Sequence, residues 1–404
     1  MRAFLREADW LNADRVRVYA AMMVLAFIGM LVANFLKIPS TGSDFQAFWS
    51  GARILVEHGP VAVFDLDLQE RVQAAAGFGA MIAYVNPPPF LLTIFWLGVL
   101  PFGAAWVAWV GVTFAIWLSA MARTYRGDLL LPLLAFPASY LAAAHAQNGF
   151  LTGALLAGAV LALRRSAWLC GILLGMLIIK PHLALIAPFW LLARGEWRAI
   201  AGGVIGAAGM IALSLVFFGP QSWVAYPEAF EVSRQLMAQG PSIFWLRMTT
   251  PYAMLRYYAT PEAAMVVQGA ITLALLAVTM IFARRTRDAQ ASGALMLAAT
   301  AVASPYLFSY DLPFLAVPVF WLIVDGRARG WRPYEKIAVV ALYLSPLATR
   351  AVALPLEINL MPIPALAMVA LIWNRASIEG ARVPQTWSAG SRSSESLAFC
   401  SPAA

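Results

Sequence analysis

An all-α integral membrane protein is the fold class this sequence predicts, and three observations predict it. Of the 404 residues, 62% are hydrophobic and only 12% charged, with a mean hydropathy of +0.74; a soluble globular domain carries about 25% charged residues. Apolar runs of helix-spanning length recur along the chain. The basic residues behind the net charge of +8 gather in short clusters between those runs. Membrane topology demands that distribution, whereas a nucleic-acid binder would spread them over one face.

About twelve transmembrane helices are expected, near residues 16–36, 104–122, 129–145, 149–163, 168–180, 182–193, 198–218, 262–283, 290–306, 311–325, 336–350 and 353–373. The first run follows a polar stretch of mixed charge and precedes no small-residue cleavage motif, so it reads as an anchor rather than a leader. Arginine clusters test the list. They lie at Arg123 and Arg126, Arg164-Arg165, Arg194 with Arg198, Arg284-Arg285 with Arg287, Arg327 to Lys336, and Arg375. With every cluster in the cytoplasm, the intervening spans pair as hairpins and both termini fall inside. Residues 88–100 are the exception. As a full span they would flip everything downstream, so they read as a re-entrant or interfacial helix in the outer half of the bilayer, with a full crossing as the rival.

The membrane-embedded domain is thus expected over 1–373, with external segments at about 37–87 and 219–261 and a disordered cytoplasmic tail over 374–404. No internal repeat is visible, which weakens an inverted-repeat transporter. Cys170 and Cys400 would lie at different depths, so a disulfide is not expected. His58, His145 and His182 show no ligand spacing, so no metal site is legible and a metal requirement stays open.

Polar groups at the outer ends of the spans carry what chemistry the sequence offers. Asp44 follows the first span after a turn at Gly42 and Ser43. Phe45, Phe48 and Trp49 come next at helical spacing, the pattern of a helix lying on the bilayer surface with its aromatics in the interface. Spacing alone favours Asp44 as that helix's N-cap. Asn86-Pro87-Pro88-Pro89 is a rigid extended corner. Lys180-Pro181-His182 breaks two apolar runs, after Gly171 and Gly175 at close-packing spacing. A lone boundary lysine often snorkels; between short helices of a bundle it can also hold an anion such as a lipid phosphate. Gln147 in His145-Ala146-Gln147-Asn148, Arg247, and Asp311 after Ser304-Pro305-Tyr306 face the same side; each is an ordinary helix end or a ligand-binding group.

In order and spacing, these motifs resemble those of the family-87 glycosyltransferases, multispan enzymes of the GT-C class that use polyprenyl-phosphate sugars. The resemblance rests on Ser43-Asp44-Phe45-Gln46-Ala47-Phe48-Trp49, Asn86-Pro87-Pro88-Pro89, Gln147-Asn148-Gly149, Gly171 to Gly175 leading to Lys180-Pro181, and Ser304-Pro305-Tyr306, across residues 40–310. The chain departs where members often carry a tyrosine before paired prolines and a glycine before the glutamine; here Asn86 precedes three prolines and Ala146 precedes Gln147.

The resemblance implies a GT-C-like helical bundle at a bacterial-type plasma membrane with its active site on the outer face. Asp44 would be the catalytic base, and Lys180, Arg247, Gln147, His182 and Asp311 the substrate or lipid-phosphate ligands. It implies transfer of a hexose or pentose, mannose-like, with inversion, from a polyprenyl-phosphate-linked sugar donor to a glycan or lipid acceptor of the envelope. Besides these, membrane lipids are the partners, with no nucleic acid. No cofactor is required that the sequence shows: there is no Gly-rich phosphate cradle. A transporter or flippase of lipid-linked or small substrates, which wants ionisable groups at mid-membrane, and a non-catalytic envelope-assembly protein are the rivals.

Overall fold

A computed structural model describes residues 2–41, 44–240 and 242–382. Gly42 and Ser43, where the sequence places a turn, and Cys400 lie outside the described residues. The described chain is helical throughout, without a strand. A short α1 (Arg2–Glu7) precedes α2 (Ala13–Thr41). Residues 37–87, expected outside the membrane, hold α3 (Phe45–His58) and α4 (Leu66–Ala75). Then come α5 (Pro88–Ile94), α6 (Phe102–Ala122), α7 (Leu130–Leu134), α8 (Pro137–His145), α9 (Gly149–Ala162), α10 (Ala167–Gly175) and α11 (Ala187–Arg194). They are followed by α12 (Trp197–Gln239), α13 (Ser242–Arg247), α14 (Pro251–Arg256), α15 (Pro261–Arg285), α16 (Ala289–Ala303), α17 (Ala316–Arg329), α18 (Glu335–Leu356) and α19 (Pro362–Arg382).

The expectation of about twelve spans is not met. Six helical stretches among the described residues are long and apolar enough to cross a membrane: Ala13–Lys37, Phe102–Ala122, Trp197–Gln235, Pro261–Arg285, Ser309–Arg329 and Glu335–Leu356. The pair Gly127–Leu134 and Pro137–His145, bent by 43°, makes a seventh if counted as one. The remaining runs do form helices near the expected places; apart from α19, with 21 residues, they are short. The 14 residues of α9 rise only about 20 Å, against a hydrocarbon core of about 30 Å. They are apolar because protein surrounds them: every residue of α16 from Ala291 to Ala303 is buried. Hydropathy reports apolar surroundings and does not separate lipid from protein.

The segment at 88–100 is one short helix and a 3-10 turn (Phe95–Val99), seven and five residues, too few to cross. Pro87 enters it extended, and Pro88 and Pro89 occupy its first turn, where a missing N–H costs nothing. It packs over α3, with Gly98 so close to the Ala52 carbonyl that a Cβ there would overlap it. This changes the reading of the aromatic stripe. Phe45, Phe48 and Trp49 do share one helical face, but that face is buried in protein and not laid in the lipid interface. Phe48 lies 4.8 Å from Phe90 and 6.0 Å from Trp109, ring centre to ring centre, and Trp49 lies 5.7 Å from Phe102. Buried glutamines tie down the rest of the segment: Gln46 donates to Gln73 Oε1 (2.8 Å), Gln69 donates to the Val63 carbonyl (2.8 Å), and Gln69 Oε1 accepts from the Tyr84 amide (2.7 Å). Residues 45–84 are therefore a folded layer.

Residues 219–261, also expected outside, are likewise mostly helix. α12 continues through a kink at Gly219, whose φ is 74°, and Pro220. Lower in the bundle, α10 meets α12 through glycines. A Cβ at Gly171 would overlap the Ala199 carbonyl, and one at Gly175 the Gly203 carbonyl. That is the small-residue packing by which helices associate where no hydrophobic drive separates protein from lipid. Gly175→Val is expected to abolish folding into the membrane or lower the melting temperature by several degrees, about 2 kcal/mol or more; detergent thermal shift measures it.

All the arginine clusters sit at one end of the bundle. α2 ends beside Asp44 and α8 ends in His145, whereas Arg123, Arg164, Arg194, Arg284 and Arg327 lie at or just beyond the opposite ends of their helices. There, buried Arg375 on α19 pairs with Asp325 and Glu335, and Arg329 joins Asp325 at 3.1 Å. α19 thus runs on past Asn374 to Arg382; residues 383–404 lie outside the described residues.

Candidate active site

Asp44 opens α3 with helical backbone angles (φ −54°, ψ −23°), and its side chain caps no amide of that helix. The cap role that spacing favours is therefore not the one it plays. The carboxylate turns to the end of α8, where Oδ2 lies 3.4 Å from Nδ1 of His145. His145 is held by the local chain. It is the last residue of α8, and Ala146 adopts a left-handed conformation (φ 46°) that reverses the backbone into Asn148 and α9. Gly149 then lets α9 rest against the Tyr310 carbonyl, where a Cβ would overlap.

Tyr310 is the wall between His145 and Lys180. Its ring centre lies 5.4 Å from that of His145 on one side, and Lys180 Nζ lies 5.3 Å over it on the other. Phe308 stacks on it at 5.1 Å, nearly parallel. Behind this wall Lys180 donates to Asp311 (2.6 Å) and to Asn148 Oδ1 (3.1 Å). Asp311 is fully buried and also accepts from the Phe308 amide at 3.3 Å.

In front of the wall are two arginines, Arg247 at the end of α13 and Arg350 on α18. Both act electrostatically on Asp44. Arg247 Nε and Arg350 Nη1 are buried, and neither finds a hydrogen-bond partner among the described residues. Burial works against the charge on Asp44, but the hydrogen bond and charge of His145, with the charges of Arg247 and Arg350, outweigh it and hold the carboxyl below its ordinary value of 3.8. The group is a carboxylate at neutral pH. Its neighbourhood is cationic.

Of the residues singled out from sequence, Asp44 and Arg247 fall into this front group, while Lys180 and Asp311 form the rear pair. Gln147 lies half-buried on the turn between α8 and α9. His182 is the second residue of the 3-10 turn Pro181–Ala184, its Nε2 buried and unbonded among the described residues. Neither bonds to Asp44 or to the rear pair. Among the described residues no three His, Cys, Asp or Glu side chains gather as a metal site. Sequence reasoning missed Arg350 and gave His145 no role. The signal for Arg350 was present: it is an arginine inside an otherwise apolar stretch, and such residues are retained for function or pairing.

The profile of glycosyltransferase family 87 matches residues 84–305, more than half of the chain. The chain belongs to glycosyltransferase family 87. It is a membrane glycosyltransferase. No curated protein and no solved structure matches it. The matched range takes in the proline corner, His145, Lys180 and Arg247 of this family-87 enzyme; Asp44, Asp311 and Arg350 lie outside it.

Proposed function

We propose that this enzyme moves a hexose or pentose, mannose-like, from a polyprenyl-phosphate sugar to an envelope glycan or lipid, with inversion and with Asp44 as general base. The observation that carries the reading is the Asp44 carboxylate: turned away from its own helix, held by His145 and under the charges of Arg247 and Arg350, each of which has a buried nitrogen unbonded among the described residues. The acceptor hydroxyl oxygen attacks the anomeric carbon while the bond from that carbon to the lipid phosphate oxygen breaks. The electron pair of that bond leaves on the phosphate, and the hydroxyl proton passes to Asp44. Arg247 and Arg350 stabilise the charge that grows on the leaving phosphate, where fixed donors in a dry site act most strongly. His145 orients the carboxylate. Lys180, neutralised by Asp311, is a support for Tyr310 and not the phosphate ligand that sequence suggested.

A transfer assay with purified protein and a panel of polyprenyl-phosphate sugars tests this; no transfer from any donor overturns it. Within that assay Arg350→Gln is expected to lower kcat by about a hundredfold. Arg350→Lys should restore part of it, since a point charge survives the exchange although the planar fork does not. Equal turnover by both variants and the parent would remove Arg350 from the site.

The site faces outward and both termini are cytoplasmic in this proposal. Supporting it, the arginine clusters lie at the end of the bundle opposite Asp44, and basic residues are retained on the cytoplasmic side. Cysteines introduced beside Arg164 or Arg284 are expected to resist an impermeant thiol reagent in whole cells, and those introduced in 66–75 to react. The reverse pattern would invert the orientation.

A further inference from the structure

A cavity of about 620 Å³ lies at the end of the bundle away from Asp44. Its walls are α2, through Val16, Tyr19 and Met23, and α18, through Val340, Tyr343 and Leu344; Leu129 and Pro132 of the α7 region form its floor. It opens sideways at the exposed Tyr19 and Leu344. The charges at its mouth are mutually satisfied: Arg327 pairs with Asp128 at 2.6 Å and Lys336 with Asp9 at 3.0 Å. The mouth therefore offers no free cation to a headgroup. What fits is hydrocarbon whose charged end is held elsewhere.

The helices that build the cavity lead to that other place. α2, α7–α8 and α18 run side by side in one direction, from the cavity to Asp44, His145 and Arg350 respectively. Both walls seat on the same floor. On the α2 side, Phe27 stacks on Tyr140 at 5.0 Å and Asn34 donates to the Ala144 carbonyl (2.8 Å). On the α18 side, Tyr343 donates to the Pro132 carbonyl (2.7 Å) and packs on Phe136. Val340, Tyr343, Leu347 and Arg350 fall on a single stripe of α18, spaced three or four residues apart. Arg350 thus stands about 15 Å up the same face from Val340, with a guanidinium nitrogen buried and unbonded.

We infer that one hydrocarbon chain lies along the α2–α18 face, its phosphate at Arg350 and Arg247 and its distal part in the cavity. The occupant is the polyprenyl chain of the donor, and the inference rests on the proposed function for that identity. The enzyme then reads carrier length at a point remote from the chemistry, because the cavity begins at Leu344, about 9 Å from Arg350, and only a chain longer than about 15 Å reaches Val340 within it.

Photo-crosslinking tests it without needing turnover. The probes are a full-length polyprenyl phosphate with a photoreactive group at the far end of its chain, and the matching polyprenyl alcohol, each in nanodiscs with the full chain. The phosphate is expected to label peptides containing Val16–Met23 or Lys336–Leu344. Val340→Trp, or Met23→Trp from the facing wall, should reduce that labelling about tenfold, since each methylene kept from the cavity forfeits a several-fold factor. The alcohol should label the groove no more than the rest of the lipid-facing surface. Labelling by the alcohol equal to that by the phosphate would mean an ordinary bilayer chain fills the groove, and the inference falls. It falls too if the phosphate labels elsewhere, or if neither Trp variant changes the pattern. The sugar-transfer assay is read separately: groove labelling without transfer would overturn the proposed function and leave the lipid site standing.

Discussion

Replacing Asp44 by asparagine is expected to lower sugar transfer by about a hundredfold or more, the scale of a lost general base, while the protein still inserts and folds, giving up only the stability that the depressed Asp44 pKa supplies. The expectation is sharp because the side chain caps nothing. An N-cap aspartate would tolerate the change almost silently, since asparagine caps about as well; here no cap exists to preserve or lose. What the change removes is a proton acceptor that His145, Arg247 and Arg350 keep ionised. The sign of the pH effect follows. A carboxyl held below 3.8 is fully charged at neutral pH, so the acid limb of kcat/KM assigned to Asp44 should fall below that value. The same shift stabilises the folded state above the ordinary carboxylate range and ceases to do so as pH drops through the folded value. An Asp44→Asn enzyme with unchanged melting temperature and near-normal turnover would move the search for a base to Asp65, Asp67 and Glu70. Of these, Asp65 already caps α4 through the Leu68 amide at 3.0 Å.

Lys180→Ala is expected to fail in folding before it fails in catalysis. It strands Asp311, which is fully buried and whose pairing partner is the lysine at 2.6 Å. Breaking a buried pair from one side costs about 3–5 kcal/mol. Removing both charges together is far milder, because no uncompensated ion remains, so Lys180→Met with Asp311→Asn should recover most of the melting temperature lost by Lys180→Ala. Residual transfer by that double variant would show that the pair supports the site from behind Tyr310. A stable Lys180→Ala whose donor KM alone rises would return the lysine to the role of phosphate ligand.

These two residues also show what sequence could reveal. Their helix positions were readable from apolar runs and proline breaks, but their partners were not. Lys180 and Asp311 are 131 residues apart, and nothing local ties one to the other. The same holds for the aromatic stripe of α3: periodicity shows that one face is apolar, not that Phe90 and Trp109 cover it. Helix placement was legible nearly everywhere, whereas the number of spans was not, because α9 and α16 are as apolar as lipid-facing helices while lying inside the protein. Asp44 drew attention through its motif, since its spacing favoured a cap. Arg350 carried a signal, a charge in an apolar stretch, but was read as the end of a span.

The short inner helices set the route by which two substrates meet. α9 climbs about 20 Å from the arginine end and stops, whereas α2, with 29 residues, continues past it. In the proposed orientation the floor at Asn148 and Tyr310 is then a well, sunk roughly 10 Å beneath the outer surface of the hydrocarbon layer. On the proposed function, a carrier lipid reaches such a well from the side, its phosphate drawn inward from the headgroup layer toward Arg247 and Arg350, and an acceptor descends from the water above. Two separate doorways allow both substrates to be present at once, so the kinetics should be sequential, with intersecting rather than parallel double-reciprocal lines.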